Sequence, residues 1–475
     1  MEGLRSSSTT LVLFPVFLIV TIIILCFPSV YLENLSAIFP SFTTNQTPSV
    51  SPSGASINVV TYIKVSRVEA ELADARAAIR EAIRTRNCTS DEEETFVSTG
   101  SVYRNPYAFH QSHVEMMKRF KIWVYREGEM PLVHMGPMKH IYAIEGQFIS
   151  EIESKKSTFV ASHPEEAHAF FLPVSVAYIV KYVYMPITTY DRERLVRIFT
   201  DYIKVVANKY PFWNRTYGAD HFMLSCHDWA PEVSVPDPEL YRNLIRVLCN
   251  ANSSEGFHPK RDVTLPELNL PPQGFSRHWR FSRPPDKRII LAFFAGGGHG
   301  DVRKSLLYHW KDKDDEVQVH GYLSKGQDYN KLMGKSKFCL CPSGFEVASP
   351  RLIESFYAGC VPVIISDSYV LPFSDVLDWS KFSVEIPVER MSDIKKILKG
   401  IPEKKYRRMQ KRVLKVRRHF ELNRPAKPFD LLHMNGEPHR ISFRIQNPPI
   451  EDVAVRRPAG WDLTLLQCFN LDSAS

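Results

Sequence analysis

Residues 337–365 read KFCLCPSGFEVASPRLIESFYAGCVPVII, and this stretch decides the fold class. The apolar runs at its two ends predict buried strands, with a loop and then a helix between them. Ser349 and Pro350 are typical of a helix start, because a hydroxyl caps free amides there and proline needs no hydrogen-bonded N–H. We expect the helix to reach Ala358 and to end at Gly359, which tolerates the left-handed conformation. A strand, helix, strand unit of this kind indicates an α/β fold.

The same stretch predicts a site for an anion. Arg351 lies at the start of the predicted helix, where a cation is disfavoured unless an anion such as a diphosphate is bound beside it. Glu354, one turn further on, is placed to accept hydrogen bonds from sugar hydroxyls, and Glu346 lies in the loop before the helix. The alternative is an ordinary helix start in which Arg351 pairs with Glu354 or with a neighbouring acid.

The length and the net charge of the chain limit the classes of protein to which it can belong. The chain has 475 residues, 44% of them hydrophobic, which is enough for two domains with cores of their own. Much of the net charge of +8 lies in residues 404–419, KKYRRMQKRVLKVRRH. Met409, Val413 and Val416 recur there at helical spacing, so we interpret the run as an amphipathic helix with a basic solvated face. Nucleic-acid binding is therefore not expected.

The amino-terminal segment predicts a membrane anchor. Residues 11–27 are almost wholly apolar and carry no charge, close to the shortest length that spans a bilayer. We predict a cytosolic tail over 1–10 and a signal anchor over 11–28, with everything after it in the lumen. The alternative is a cleaved signal peptide, but no clear cleavage pattern follows the apolar run.

A lumenal location predicts glycosylation and disulfide formation. Seven of the eight cysteines follow the anchor, and seven cannot all pair internally, so one is free or bridges two chains. Their spacing shows no zinc pattern, and no metal site is expected. Five asparagines stand in glycosylation sequons, and we predict glycans on Asn34, Asn45, Asn87, Asn214 and Asn252.

The region between the anchor and the body divides in two. Residues 29–60 are rich in Ser, Thr, Pro and Asn, which predicts a flexible glycosylated stem. Residues 61–90 predict a stem helix that either dimerises or packs on the body. We favour packing, because alanines weaken the apolar seam. That seam is formed by Val68, Leu72, Ala75, Ile79 and Ile83.

From residue 95 onward predicted strands alternate with helices. We place an amino-terminal domain at 95–280, a carboxy-terminal domain at 285–400, and a final helix and tail at 401–475. The proline- and charge-rich segment at 280–287, RFSRPPDK, marks the boundary. Ligands of such folds bind at the carboxyl ends of the strands, so the cleft between the halves is the expected active site.

The glycine-rich turn at 296–301, GGGHGD, is not a dinucleotide fingerprint, since Asp301 stands where a third glycine is required. Arg303 follows it on the way into the next helix, in a position like that of Arg351. It either faces the same anion or is an ordinary surface arginine.

Candidate bases cluster in residues 211–230, PFWNRTYGADHFMLSCHDWA. Asp220, His221, His227 and Asp228 flank one short apolar strand, and each is able to remove a proton from an attacking hydroxyl. We expect His227 and Asp228, at the end of the strand, to point into the cleft. The alternative is that these residues cap and brace loops. No GxSxG motif supports a serine hydrolase.

Several ordered motifs together resemble the exostosin family, glycosyltransferase family 47, in its plant branch. They include HPEEAHAFFLP, PFWNRTYGADHF, FFAGGGHGDVRKSL and the opening stretch, and the resemblance covers roughly residues 95–420. It implies a GT-B architecture of two Rossmann-like domains and a type II Golgi membrane protein. The layout is most similar to the subgroup that includes a pectin xylosyltransferase.

The resemblance also implies the reaction. A sugar passes from a nucleotide sugar, expected to be a UDP-sugar, to a cell-wall polysaccharide such as pectin or hemicellulose, with inversion and without an essential metal or other cofactor. The expected partners are the donor, the polysaccharide, the Golgi membrane and other glycosyltransferases in a homo- or hetero-oligomer. The alternative is a non-catalytic scaffold subunit of a synthase complex.

Carried over by position, Ser349 and Arg351 hold the diphosphate, Glu354 contacts the ribose and Arg303 contacts a phosphate. A base from the group between Asp220 and Asp228 activates the acceptor. The complete predicted donor site is Arg303, Ser343, Gly344, Glu346, Ser349, Arg351 and Glu354.

Overall fold

The computed structural model describes residues 53–87, 98–186, 189–271 and 282–436. The predicted cytosolic tail, anchor, most of the stem and the sequons at Asn34 and Asn45 lie outside these residues. Within the described ranges, no helix combines the length and the apolar character needed to cross a membrane.

Two five-stranded parallel sheets form the body, as the alternating pattern predicted. The first has the strand order β1-β2-β3-β4-β5, and the second has the order β10-β9-β8-β6-β7. The strands are β1 Ile122–Val124, β2 Ala169–Leu172, β3 His221–Ser225, β4 Ile245–Leu248, β5 Val263–Thr264, β6 Ile290–Ala295, β7 Val317–His320, β8 Ser336–Pro342, β9 Val361–Ile365 and β10 Val384–Glu385.

Helices connect the strands and cover the sheets. Strands buried on both faces read as continuous apolar runs, and β9 (VPVII) is buried at every position. The helices are α1 Ser53–Thr85, α2 Pro106–Arg119, α3 Ala143–Ile152, α4 Val176–Val183, α5 Glu193–Lys209, α6 Pro211–Thr216, α7 Pro238–Asn243, α8 Asp301–Trp310, α9 Tyr329–Lys335, α10 Arg351–Tyr357, α11 Ile394–Lys399, α12 Glu403–Val416 and α13 Leu431–Gly436.

The opening stretch folds nearly as its sequence predicts. It forms β8, a loop, α10 and β9, and Gly359 after the helix has a φ of 64°. The helix starts near Ser349 as predicted, but the predicted cap by the Ser349 side chain is absent. Helix α10 begins at Arg351 with Pro350 in the capping position and without a side-chain cap. The Ser349 hydroxyl accepts a hydrogen bond from Arg351 instead, at 3.2 Å.

The stem helix α1 begins at Ser53, inside the segment predicted to be flexible. From Leu72 onward its apolar side is largely shielded, and Ala82 is buried. Arg119 of α2 pairs with Asp74, at 3.4 Å, and Glu71 lies 3.7 Å from His168. These contacts favour the packed arrangement over a free coiled-coil seam.

The basic run at 404–419 forms α12 and a short 3-10 turn over Arg417–Phe420. Met409, Val413 and Val416 of this run are buried at helical spacing, as predicted, and Gln410 is buried beside them. Beyond it the chain returns to the first half, where Phe429 packs against Phe109 of α2 with ring centroids 5.3 Å apart. Residues at both ends of the described body therefore contribute to one core.

Each sheet carries one disulfide among the described residues. Cys226 pairs with Cys249 across the ends of β3 and β4, and Cys339 of β8 pairs with Cys360. Cys341 is buried and free. Two of the seven cysteines that follow the predicted anchor, Cys88 and Cys468, lie outside the described residues.

Candidate active site

A polar cavity of about 410 Å³ lies where the carboxyl ends of strands from both sheets meet. Parallel strands present their following loops at one edge, so this is where α/β folds hold ligands. Asp228 follows β3 and Glu267 follows β5, whereas Arg303 and Gly344 come after β6 and β8. The wall is completed by Ile141, Tyr142, Asn269, His299, Tyr329, Phe345, Glu346, Ala348, Ser349, Pro350, Arg351 and Glu354.

Arg351 is held by neutral acceptors and not by a carboxylate. Its guanidinium donates to the Ala295 carbonyl oxygen at 3.1 Å and to the Ser349 hydroxyl at 3.2 Å. It lies over the Phe294 ring, 4.7 Å from the centroid. Its Nε is buried without a hydrogen-bond partner among the described residues. The guanidinium of Arg351 therefore has an N–H group left to donate a hydrogen bond to a ligand.

Among the described residues Glu354 forms no direct ion pair with Arg351, although, against the effect of burial, its charge, after that of Tyr329, helps to raise the pKa of the guanidinium. Its carboxylate accepts a hydrogen bond from the Tyr329 hydroxyl at 2.9 Å, which fixes its position in the wall. The alternative that Arg351 simply pairs with Glu354 is therefore wrong.

Arg303 adds a second cation beside the first. It is the third residue of α8, and its Nε lies 3.4 Å from the Pro342 carbonyl oxygen. Burial and the neighbouring charge of Arg351 lower the pKa of Arg303 to about 10. A guanidinium with this pKa stays charged at neutral pH, so the cavity is faced by two cations that form no direct ion pair in the described part of the chain. Such a pair is suited to bind a diphosphate.

The loops after β6 and β8 touch each other at two glycines. Gly300 has a φ of 84°, and a Cβ at this position would overlap the Gly344 carbonyl group. A Cβ at Gly344 would in turn come within 3.1 Å of the Arg303 guanidinium. Glycine at both positions lets the backbones approach closely and places Arg303 under the loop.

Four carboxyl groups line the rest of the cavity, and burial acts on three of them. Burial, followed by the charge of Asp228, raises the pKa of Glu267 to about 8. Burial also raises the pKa of Glu346 to about 8, although this carboxyl accepts a hydrogen bond from Asn250 at 2.6 Å. Near neutral pH both groups hold a proton for much of the time.

The remaining carboxyl of the first half is Asp228. Burial raises its pKa, while a hydrogen bond from the Tyr142 hydroxyl acts in the opposite direction. Tyr142 has a φ of 66°, an uncommon conformation for an aromatic residue, and its ring lies 4.9 Å from that of His227. This strained residue directs a hydroxyl at Asp228.

Comparison with known proteins decides the family. The model of the exostosin GT47 domain matches residues 102–401. The chain belongs to the exostosin GT47 family of glycosyltransferases. A probable glycosyltransferase of Arabidopsis thaliana is 50% identical over 389 residues, which are 82% of this chain and 74% of the relative.

More distant relatives of this GT47 glycosyltransferase carry narrower names. A probable glucuronosyltransferase of Oryza sativa subsp. japonica is 30% identical over 58% of this chain and 66% of its own. The probable beta-1,4-xylosyltransferase IRX10 of Arabidopsis thaliana is 28% identical over 58% of this chain and 70% of its own. The names differ in the sugar that they mention, while the family is shared.

Most of the predicted donor-side residues of this GT47 enzyme come together. Six of the seven line the cavity, namely Arg303, Gly344, Glu346, Ser349, Arg351 and Glu354. Ser343 is buried next to the cavity, where its amide donates to the Ile365 carbonyl oxygen at 3.1 Å, and it is not part of the wall.

The four candidate bases do not form one group. Asp220 and His221 stand at the amino end of β3, opposite the cavity, and neither lines it. Asp220 binds Arg215 at 2.7 Å and His221 Nδ1 at 2.7 Å, and the other nitrogen of His221 contacts the Tyr125 hydroxyl at 2.7 Å. In this arrangement the pair braces the core and lies apart from the residues that line the cavity.

The other two candidates lie at the carboxyl end of β3. Of these, only Asp228 lines the cavity. Burial lowers the pKa of His227 to about 4, and its Nδ1 accepts the Trp229 amide at 3.1 Å. This imidazole is a neutral support for Tyr142 and has no free acceptor nitrogen at Nδ1.

Sequence reasoning missed several residues of the cavity, including Glu267 and Tyr142. Glu267 follows β5 directly, so a search for carboxylates after each predicted strand would have found it. No sequence signal announces the conformation of Tyr142. The helix that follows Tyr142 is anchored by Glu145, whose buried carboxyl group accepts hydrogen bonds from the hydroxyls of Ser175 and Ser225, both at 2.5 Å.

Two further predictions concern metals and glycans. In the parts of the chain that are described, no three His, Cys, Asp or Glu side chains lie close enough together to hold a metal ion. Asn87 and Asn214 are exposed, as their predicted glycosylation requires. Asn252 is only 6% exposed and its Oδ1 caps the Ser254 amide at 3.1 Å. The Asn252 side chain thus serves as a cap in this structure, and its glycosylation stays a prediction.

Proposed function

We propose that this GT47 enzyme is a GT-B glycosyltransferase that moves a sugar from a UDP-sugar to a cell-wall polysaccharide, with inversion at the transferred carbon. The observation that carries the proposal is the pair of guanidiniums, Arg303 and Arg351, which face the cavity without carboxylate partners. A diphosphate supplies the negative charge that this pair lacks. The facing wall, built from the first sheet, supplies carboxyl groups for the acceptor.

The donor is proposed to bind the second sheet. Its diphosphate contacts Arg303 and Arg351, including the buried Nε of Arg351 that has no partner in the described part of the chain. Glu354, held by Tyr329, accepts hydrogen bonds from the ribose hydroxyls. Phe345, which is 74% exposed, stands at the mouth of the cavity as an apolar surface for the nucleotide or the sugar.

Asp228 is the proposed general base. It belongs to the first sheet, whereas the arginines belong to loops of the second, so the base and the leaving group lie on opposite sides of the cavity. An acceptor hydroxyl that loses its proton to Asp228 attacks the sugar carbon as the bond to the diphosphate breaks. The arginines stabilise the charge that develops on UDP. Attack from the far side inverts the carbon.

Glu267 is proposed to keep its proton at neutral pH. Two carboxyl groups that share a buried site do not both ionise readily, and the pKa of Glu267 is the one raised to about 8. A protonated Glu267 leaves Asp228 as the single charged acceptor for the proton of the incoming hydroxyl.

The compartment is proposed to be the Golgi lumen, with residues 11–28 as a type II anchor. Two disulfides among the described residues are suited to an oxidising compartment. The exposed sequons at Asn87 and Asn214 agree with this location.

A binding measurement tests the donor site. The purified, detergent-solubilised full chain is titrated with UDP and with a panel of UDP-sugars, and hydrolysis and transfer are then measured with and without EDTA. Arg351→Ala is expected to weaken UDP binding by about a hundredfold, since it removes a charge-assisted contact. The matched control is Arg390→Ala, because Arg390 is exposed and pairs only with Asp393, at 3.6 Å, among the described residues.

The outcomes separate the two functions that the sequence left open. Binding of one UDP-sugar by the wild type and by Arg390→Ala, but not by Arg351→Ala, supports the transferase. A folded protein that binds no nucleotide sugar would instead favour the scaffold subunit.

A further inference from the structure

A second polar cavity, of about 530 Å³, lies at the outer edge of the first sheet and is separate from the transfer site. It flanks β1, whose free edge is partly covered by residues 159–161 through the Ile122 amide and carbonyl, at 2.7 and 2.9 Å. The side chains that give it its chemistry are Trp123, Arg126, His134, Glu153, Lys155 and Ser157. None of them takes part in the proposed transfer reaction.

Two buried polar atoms of this wall have no partner among the described residues. They are the indole Nε1 of Trp123 and the hydroxyl of Ser157. Buried donors are nearly always satisfied in folded proteins, so a pair of unsatisfied ones in one cavity indicates a ligand or ordered water there. An indole ring beside hydrogen-bonding groups is also the composition that suits a sugar ring, which has an apolar face and a polar rim.

The positive charge at the wall of the cavity favours sugars that carry a negative charge. The one carboxylate in the wall, Glu153, is already paired with His134 at 2.6 Å, and this contact raises the pKa of the imidazole. Arg126 and Lys155 are exposed at the mouth, and neither forms an ion pair in the described part of the chain. Two unpaired cations beside a neutralised pair make the cavity attractive to an anion.

Helix α3 connects this cavity to the transfer site. Ile141 and Tyr142, at its start, line the transfer cavity, while Ile152 and Glu153, at its end, line the second one. A helix of ten residues is about 15 Å long. One extended polysaccharide chain is therefore able to reach both cavities.

We infer that the second cavity binds an acidic segment of the polysaccharide acceptor, a run of sugars that carry carboxylate groups, at a distance from the sugar that is modified. The inference rests on the proposed function, and it adds the class of acceptor. Arg126 and Lys155 bind the carboxylates, Trp123 stacks on a sugar face, and the Trp123 indole and Ser157 hydroxyl bind ring hydroxyls. A contact of this kind raises the local concentration of acceptor at the transfer site.

A direct binding experiment tests the inference. The detergent-solubilised full chain is titrated, without any donor, with a hexamer of α-1,4-linked galacturonic acid, and a xylose hexamer serves as the neutral comparison. Lys155→Glu is expected to weaken binding of the acidic hexamer by about tenfold or more. Lys156→Glu is the matched control, because Lys156 is exposed, carries the same charge and does not line the cavity.

A second variant tests the hydrogen bond from the Trp123 indole without a large loss of packing. Trp123→Phe keeps an aromatic ring and removes the indole donor, and we expect a several-fold loss of affinity at an unchanged melting temperature. Equal binding of the hexamer to Lys155→Glu and Lys156→Glu would overturn the inference. Equal affinity for the xylose hexamer would overturn the acidic class, and equally tight binding of inorganic polyphosphate would overturn the assignment to a saccharide.

The result is distinguishable from a failure of the proposed transferase. Hexamer binding is measured without nucleotide and is expected to be the same in Arg351→Ala as in the wild type. UDP binding is expected to be unchanged in Lys155→Glu. A chain that binds the hexamer through Lys155 but binds no nucleotide sugar would keep the acidic site and remove the transferase.

Discussion

At the residue scale, we expect the carboxylate of Glu354 to bind the nucleotide and not the acceptor. It is held by Tyr329, at 2.9 Å, in the wall that also contains Arg351. Glu354→Gln keeps the size of the side chain and removes its charge. We expect UDP affinity to fall by about tenfold, because a hydrogen bond to a charged group is replaced by a weaker neutral one.

Nucleotide analogues make this prediction specific. If Glu354 binds the ribose, then removal of one ribose hydroxyl and Glu354→Gln act on the same contact, and their effects on affinity are not additive. Titrations with UDP, 2′-deoxy-UDP and 3′-deoxy-UDP measure this, with Glu389→Gln on the surface as the control. Fully additive losses for both analogues would show that Glu354 contacts some other group.

The buried carboxyl group of Glu267 makes the stability of the folded protein depend on pH. Its folded-state pKa is about 8, well above the ordinary value of 4.5. The folded protein therefore binds a proton more tightly than the unfolded chain, and stability falls as the pH rises from about 4.5 to about 8. Glu267→Gln mimics the protonated group. We expect it to raise the melting temperature at pH 8 and to leave it nearly unchanged at pH 5.

The same substitution reports on catalysis. If Glu267 is protonated and Asp228 is the base, Glu267→Gln retains most of the activity at pH 7, while Asp228→Asn loses at least a hundredfold, which is typical for a general base. Melting curves and rates of both variants over pH 5 to 9 provide the data. If Glu267→Gln loses most of its activity and Asp228→Asn keeps it, then Glu267 is the general base and Asp228 is not.

At the element scale, the donor wall depends on the close contact of two loops. Gly300, with a φ of 84°, has no room for a Cβ against Gly344, whereas Gly326, with a φ of 96°, has no atom within 4 Å of that position. Alanine at either site suffers the same left-handed strain, but only Gly300→Ala adds the overlap. We expect Gly300→Ala to lose UDP binding and Gly326→Ala to keep it.

Circular dichroism and UDP titration of both variants check this prediction. The binding of the acidic hexamer at the first sheet is the internal control, because it does not involve the loops after β6 and β8. Equal UDP affinities of the two variants would show that the contact between the loops does not shape the donor wall.

Much of the fold was predictable from local pattern, and the site only in part. The strands KFCLC and VPVII and the end of α10 at Gly359 follow from hydrophobic runs and glycine, which are local signals. The missing cap at the start of α10 has a local cause too, since the Ser349 hydroxyl binds Arg351 instead of a backbone amide. A sequence pattern does not show whether the Ser349 hydroxyl will accept from a side chain or from a backbone amide.

The acceptor side of the site was harder to predict than the donor side. The donor residues are close in sequence to one loop and one helix, so their spacing carried the information. Glu267 and Tyr142 are distant from Asp228 in sequence. They come close to it only because of the order in which the strands lie in the sheet. Asp220 and His221 were chosen because they neighbour the same strand, but they stand at its other end.

At the scale of the whole molecule, a single apolar core joins the two sheets. It contains Phe222 of the first sheet, Phe338 of the second, and Phe420 and Phe429 from the segment after α12. This segment returns from the second sheet to α2, where Phe429 stacks on His113 at 3.8 Å between ring centroids. Because both sheets share this core, we expect the body to unfold in one transition.

Phe429→Ala tests whether this segment couples the sheets. The side chain is fully buried, and its loss is expected to cost about 3–5 kcal/mol, much of it from the contacts between the halves. We expect calorimetry to show two transitions in this variant and one in the wild type. Phe199→Ala is the matched control, since Phe199 is equally buried but lies in a separate cluster with residues of the first half. If Phe429→Ala instead unfolds in one transition, lowered as much as in Phe199→Ala, the sheets are coupled elsewhere, for instance through the bridge between Tyr103 and Leu377.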